Sequence, residues 1–310
     1  MKRAFLRLGI RAGFSRYRFC APVEDALARH MRGIVDTVRR GADAGLGTTE
    51  QVEAACSRTP WTLRDFFWEG VAFGTAADHA FSFRRGNPDA RRHTSRHRLM
   101  HFTGYGLWAG MARVYHLPSL SFREEAWTDV DDFVSYGPLI AGGVSFGIVC
   151  ASRVFAPGML DRMGLPDRPG WMEAAIHGCG RALWFLYPHD VPRLEAAVDA
   201  WPRCRQGLLE GIGIANGFTQ LHDASAIDAS ISRFSAANRA AILGGSIVAM
   251  AEAAEPDELD RHLLPHLAPR LRTALEEFRL ARARIAAPDA QYYSAYTDTI
   301  RQIADRTKAA

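Results

Sequence analysis

Lysine is nearly missing from this 310-residue chain: only Lys2 and Lys308 are present, and arginine carries the rest of the fixed positive charge. A P-loop needs a lysine directly after its glycine-rich turn, so phosphoryl transfer of that kind is excluded. No Gly-x-Gly-x-x-Gly follows a strand-like run and no strand-to-helix nucleophile elbow is read, which argues against dinucleotide-dependent hydride transfer and a Ser-His-Asp hydrolase. Cysteine is sparse, with Cys20, Cys56, Cys150, Cys179 and Cys204 widely spaced and no Cys-x-x-Cys. That pattern fits a reducing, cytoplasmic setting rather than a disulfide framework or a structural zinc site.

Long apolar runs are also lacking. The most membrane-like stretch, Tyr136 to Ser152, contains Pro138 and is followed by Arg153. It is shorter than the roughly 20 residues that a span requires, and it reads as a buried core helix. The basic N-terminal run is interrupted by arginines, so it lacks the continuous apolar segment of a secretory signal and reads as an ordered arm on the body of the protein. Net charge is a modest +4, without the concentrated basic stripe and stacking aromatics that nucleic acid would need. The densest basic run, Arg84 to Arg98, reads as a solvated connection. Alternating β-branched patterns are scarce, which leaves an all-α fold.

What the chain does have is glycine at regular intervals inside apolar helices. "RDFFWEGVAFGT", "RLMHFTGYGLWA", "RQGLLEGIGIAN" and "RAAILGGSIVAM" each place a glycine six residues after an arginine, at Gly70, Gly104, Gly211 and Gly245. Gly142 and Gly178 fill the gap, giving a column with a period near 35 residues. Such a period is the signature of stacked helical hairpins, about six here, forming either a solenoid or an α/α toroid. The polar partners carry helix-start signals. Asp190 precedes Pro192 and the stripe Leu194, Val198 and Trp201; Asp223 precedes Ile227, Ile231 and Phe234. The chain divides into an N-terminal arm and helix (1–48), the repeat body (49–255) and C-terminal capping helices (256–310).

The ordered motifs "RAGF" (Arg11–Phe14), "FFWEGVAFGTAAD" (Phe66–Asp78), "GCGRALWF" (Gly178–Phe185) and "RQGLLEGIGIA" (Arg205–Ala215) resemble a bacterial family of unknown function. Its members recur in gene clusters for enediyne polyketide antibiotics. The resemblance spans nearly the whole chain. It implies a cytosolic role on a long apolar polyene or polyketide-derived chain, beside other biosynthetic enzymes. It carries over no catalytic residues.

The residue just before each column glycine is Glu69, Thr103, Ala141, His177, Glu210 or Gly244. Glu69, His177 and Glu210 are therefore candidates for an acid–base set or a metal site, while the plainer reading is buried ion pairs with an arginine such as Arg181. Tyr105, Trp108, Tyr136, Arg181, Trp184 and Asn216 are candidates for contacting an apolar ligand. Asp131 sits in "DVDDF", the acidic pattern of alkene-protonating class II cyclases, and equally a helix start with acidic first-turn residues. His93, His97 and His101 share one helical face but lack an acidic helper and read as surface histidines. No metal site and no particular cofactor is called for. Two functions stay open: action on an apolar polyene, or a non-catalytic helical scaffold for a biosynthetic partner. Self-association is compatible with either.

Overall fold

The computed structural model describes residues 2–82, 98–119, 133–156, 158–253, 255–285 and 292–308. Among them there are fourteen α-helices and no strand: α1 (Lys2–Ser15), α2 (Asp25–Gly45), α3 (Thr49–Cys56), α4 (Arg64–Ala80), α5 (Arg98–Val114), α6 (Phe133–Ser152), α7 (Trp171–Leu186), α8 (Val191–Asp199), α9 (Arg205–Thr219), α10 (Ala224–Ser232), α11 (Arg239–Ala251), α12 (Pro256–His262), α13 (Pro269–Arg282) and α14 (Tyr292–Lys308). None of the described helices is long and apolar enough to cross a membrane.

Seven long helices, α2, α4, α5, α6, α7, α9 and α11, pack each on the next. The glycines explain how. A Cβ on Gly70, Gly104, Gly143, Gly178, Gly211 or Gly245 would collide with the carbonyl oxygen of Val38, Glu69, Thr103, Gly142, His177 or Glu210, respectively. In each case from Gly104 onward, that carbonyl belongs to the residue just before the preceding column glycine. The register corrects the sequence reading at α6: the column member is Gly143, not Gly142, and the residue before it is Gly142, not Ala141. Each helical glycine costs about 0.5–1 kcal/mol relative to alanine, and backbone-to-backbone contact offsets it.

Contacts advance in the same direction along both members of each pair. Gly70 and Gly74 meet Val38 and Ala42; Gly106 and Gly110 meet Ile140 and Val144; Gly213 and Gly217 meet Ile242 and Ser246. Neighbouring long helices are therefore parallel, and a tight turn cannot join them. The described connections α2–α4, α7–α9 and α9–α11 run back toward the start of the next helix, and the short helices α3, α8 and α10 lie on them. α8 and α10 start as their sequence signals require. The Asp190 carboxylate accepts from the Arg193 amide, and Asp223 accepts from the Ser225 and Ala226 amides. Leu194, Val198, Ile227, Ile231 and Phe234 are all buried.

Two of the arginines that mark the motifs close the turn before the helix. Arg64 Nε donates to the Thr59 carbonyl and Arg239 Nε to the Phe234 carbonyl, both five residues back. Arg64 also pairs with Glu255 at 2.7 Å, and Trp61 stacks on His262. His30 of α2 meets the Thr219 carbonyl at the end of α9. These contacts bring α2 to the end of α9, and the start of α4 to the segment between α11 and α12.

Candidate functional site

The inward stripe of three consecutive helices is spaced at three or four residues. On α5 and just beyond it runs Thr103, Leu107, Met111, Tyr115; on α6, Leu139, Gly142, Phe146, Cys150; on α7, Ala174, His177, Arg181, Phe185. Along all three, the first residues wall one chamber and the last residues wall another. The first chamber holds about 830 Å³ of space, counted out to its mouth, and α14 covers it with Tyr293, Tyr296, Thr297 and Ile300. The second holds about 980 Å³ on the same measure and lies under the Gly13–Tyr17 segment. Tyr17 ties that segment down by donating to the Phe185 carbonyl at 2.6 Å.

The chambers abut. Phe66 of the second meets Phe218 of the first edge-on, with centroids 6.4 Å apart. The Arg181 guanidinium, which walls the first chamber, lies 5.5 Å from the centroid of the Phe146 ring, which walls the second. Gly142 lies beside it: a Cβ there would sit 2.9 Å from the Ala174 carbonyl oxygen and 3.1 Å from the Arg181 Nη2.

In the α14-side chamber His177 and Glu210 are joined: Nε2 lies 2.9 Å from Glu210 Oε2, and Nδ1 lies 2.6 Å from the Tyr293 hydroxyl. An ionised carboxylate only accepts, so Nε2 carries the proton toward Glu210, and in the neutral ring Nδ1 accepts from Tyr293. Arg301 of α14 grips Glu210 with two hydrogen bonds, at 2.7 and 2.8 Å, and Gln206 donates a third at 2.8 Å. Burial pushes the Glu210 pKa up, but the bonds from His177 and Arg301 outweigh it and hold it at about 2. The arginine partner expected for a buried carboxylate is thus Arg301, not Arg181. Arg301 also pairs with Glu173 at 2.6 Å. Glu173, His177 and Glu210 offer ligand atoms within 4.8 Å of one another. The cluster therefore has the donors for a divalent ion, and the Arg301 guanidinium satisfies its carboxylates. A Tyr–His–carboxylate chain of this kind can also orient a phenol for proton transfer.

Glu69 is separate from that pair. It projects into the α1-side chamber among Phe66, Phe146 and Phe185, and its Oε1 is buried without a hydrogen-bond partner. Burial raises its pKa to about 7, against a smaller opposing pull from Arg181. Cys150 shares the chamber, and burial, reinforced by Glu69, pushes its thiol up, so it stays protonated.

Of the residues proposed to touch a ligand, Tyr136 and Arg181 wall the α14-side chamber. The other four lie in the packing between helices. Tyr105 is fully buried beside Phe102, and Trp108 sits between Phe73 and Phe81. Trp184 donates to Thr219 Oγ1, and Asn216 donates to Ser246 Oγ. Asp131, His93 and His97 lie outside the described residues; His101 is buried rather than on the surface, against Trp68. Glu173, Gln206, Tyr293 and Arg301 were not singled out from the sequence. Only Glu173, one helical turn before His177, and Gln206, one turn before Glu210, had a local signal. The letters Gly143-Val-Ser-Phe-Gly147 do match the spacing of a hydrolase elbow, but Ser145 is in mid-helix and donates to the Ala175 carbonyl at 2.6 Å.

A family model described as "Protein of unknown function (DUF1702)" matches residues 11–268. The chain belongs to the DUF1702 family. No curated protein and no solved structure matches it.

Proposed function

We propose that this DUF1702 protein takes a long apolar chain into the two chambers and holds it along the inner faces of α5, α6 and α7. The observation that carries this is the continuity of one inward stripe along both chambers, mostly apolar and interrupted by Thr103, His177 and Arg181, past the Arg181–Phe146 partition. Ala174 to Phe185 spans about 16 Å at 1.5 Å per residue, and an extended chain advances about 1.2 Å per bond, so about a dozen bonds fit. A curled array of parallel repeats supports the reading, because its concave face is where such folds bind. The contacts from Arg64 to Glu255 and from His30 to Thr219 favour a nearly closed, toroid-like curl. Aromatic walls at Phe66, Phe146, Phe185 and Phe218 fit a conjugated polyene of polyketide origin, the class that the sequence resemblance implies. Five free cysteines support a cytoplasmic setting.

Titration with a fluorescent conjugated tetraene fatty acid, and with the corresponding alcohol, tests the binding. Saturable enhancement is expected, with loss in Met111→Trp, which fills the α1-side chamber. If neither probe saturates the wild-type protein, or if Met111→Trp binds both equally well, the reading fails.

A further inference from the structure

Two polar groups beside the stripe's midpoint, Glu69 on α4 and Arg181 on α7, make no hydrogen bond among the described residues. Glu69 is the only residue of the Glu69, His177, Glu210 set whose carboxylate or ring nitrogens are not fully engaged by other side chains: Oε1 is buried and unbonded. Arg181, about one turn along α7 from both His177 and Phe185, makes no hydrogen bond or ion pair among the described residues. Their charges act on each other, yet no hydrogen bond joins them. A structural role would bring them into contact, because an ion pair or a hydrogen bond recovers part of the cost of burying a charge. Left apart across the partition between the chambers, they frame a place where a third, polar group belongs.

We propose that Glu69 is a catalytic base and acid that moves a proton on a bound chain bearing a carbonyl, with Arg181 holding the carbonyl oxygen. The Glu69 carboxylate removes a proton from the carbon beside the carbonyl. The C–H electron pair becomes a C=C bond, and the carbonyl π pair moves onto oxygen, where the guanidinium stabilises it. When the chain carries a β,γ double bond, delivering a proton from the Glu69 carboxyl, after exchange with solvent, to the γ carbon moves that double bond into conjugation and restores the carbonyl and the carboxylate. Nothing is oxidised or reduced and no group leaves. The surroundings suit this chemistry, because an apolar cavity keeps a carboxyl close to neutrality, where one group can both take and return a proton. The ligand class is therefore an unsaturated long-chain ketone or thioester. This rests on the apolar-chain reading above.

The test uses the full-length protein, a β,γ-unsaturated long-chain methyl ketone in deuterium oxide, and the tetraene acid as a separate binding probe. The wild type is expected to accelerate deuterium uptake and double-bond migration over the protein-free rate. Glu69→Gln is expected to lose at least tenfold of that acceleration while still binding the tetraene. Arg181→Met is expected to lose a similar factor. The wild-type rate is expected to rise with pH through about 7 and then level off, as a base requires. The other titratable groups facing Glu69 are Cys150 on α6, Arg181 on α7, Arg16 and Tyr17 of the N-terminal segment, Tyr115 after α5 and Arg153 after α6. Of these, Cys150 and Tyr17 are pushed up by burial, away from that range. Tetraene binding without wild-type acceleration, or undiminished acceleration in Glu69→Gln, overturns the proposal and leaves the binding reading standing. Absence of tetraene binding overturns the binding reading and the proposal with it.

Discussion

Glu69 and Glu210 are both buried, and their neighbours drive them in opposite directions. Glu210 accepts from an arginine, a histidine and a glutamine; Glu69 has apolar rings around it. The sign of each effect on stability follows. Glu210, held at about 2 against an ordinary 4.5, contributes stability that is present above pH 4.5 and lost as pH falls toward 2. Glu69, raised to about 7, does the reverse: its neutral form is favoured in the folded state, and that advantage is lost as pH rises from 4.5 through 7. At about 1.36 kcal/mol per pH unit, the Glu69 effect is on the order of 3 kcal/mol. Melting curves of Glu69→Gln should therefore show a gain over wild type that grows between pH 5 and 8, checked at about one-unit steps. Glu210→Gln should lose about 1.5–3 kcal/mol at neutral pH, because Arg301 and His177 lose a charged acceptor while Arg301 keeps its pair with Glu173. Equal and pH-independent changes in both variants would show that the two environments are not as different as the geometry makes them.

At the scale of the helix, the glycine ladder decides whether neighbours can touch. Gly211→Ala drives a Cβ into the His177 carbonyl, and backbone cannot yield as a side-chain tip can. A loss of roughly 3 kcal/mol or more is expected, together with displacement of His177. Gly33 in α2 is also a helical glycine, but a Cβ there would have nothing within 4 Å; Gly33→Ala should raise stability by about 0.5–1 kcal/mol. Chemical denaturation of the pair separates ladder glycines from incidental ones. The same ladder shows what was legible beforehand. Gly70, Gly104, Gly211 and Gly245 could be aligned because each answers one steric demand at one place in its helix. The tandem Gly142–Gly143 offered two choices, and only the contact with Thr103 on α5 selects the second. Adjacency of Glu210 to His177 followed from the ladder, since both precede column glycines on neighbouring helices. Arg301, 91 residues from Glu210, belongs to a helix without a column glycine, and no spacing connects it. The aromatics Tyr105, Trp108 and Trp184 lie in the packing between helices rather than on a chamber wall, for a related reason. Composition marks them as large and apolar, but only the packing of neighbouring helices decides which face of a helix meets a chamber.

For the molecule as a whole, the two chambers are closed by the parts of the chain that do not belong to the parallel array. The N-terminal segment is held to the end of α7 by Tyr17 and by the Cys20 amide on the Leu186 carbonyl, while α1 buries only Leu6 and Ile10. α14 is held over the other chamber mainly through Arg301, Tyr293 and Tyr296. Both covers rest on few contacts compared with the glycine-packed helices, so both should open at a small fraction of the global unfolding free energy. A chain lying along α5, α6 and α7 would touch both covers at once and neither α8 nor α10, which occupy the returns between long helices. Hydrogen exchange with and without the tetraene acid distinguishes these regions. Binding should slow exchange in residues 13–20 and in α14 by at least several-fold, with little change in α8 and α10. Uniform slowing over all four segments would mean that the ligand stabilises the fold globally without lying in the chambers. Slowing in α14 alone would confine it to the chamber of His177 and Glu210, with Glu69 out of reach.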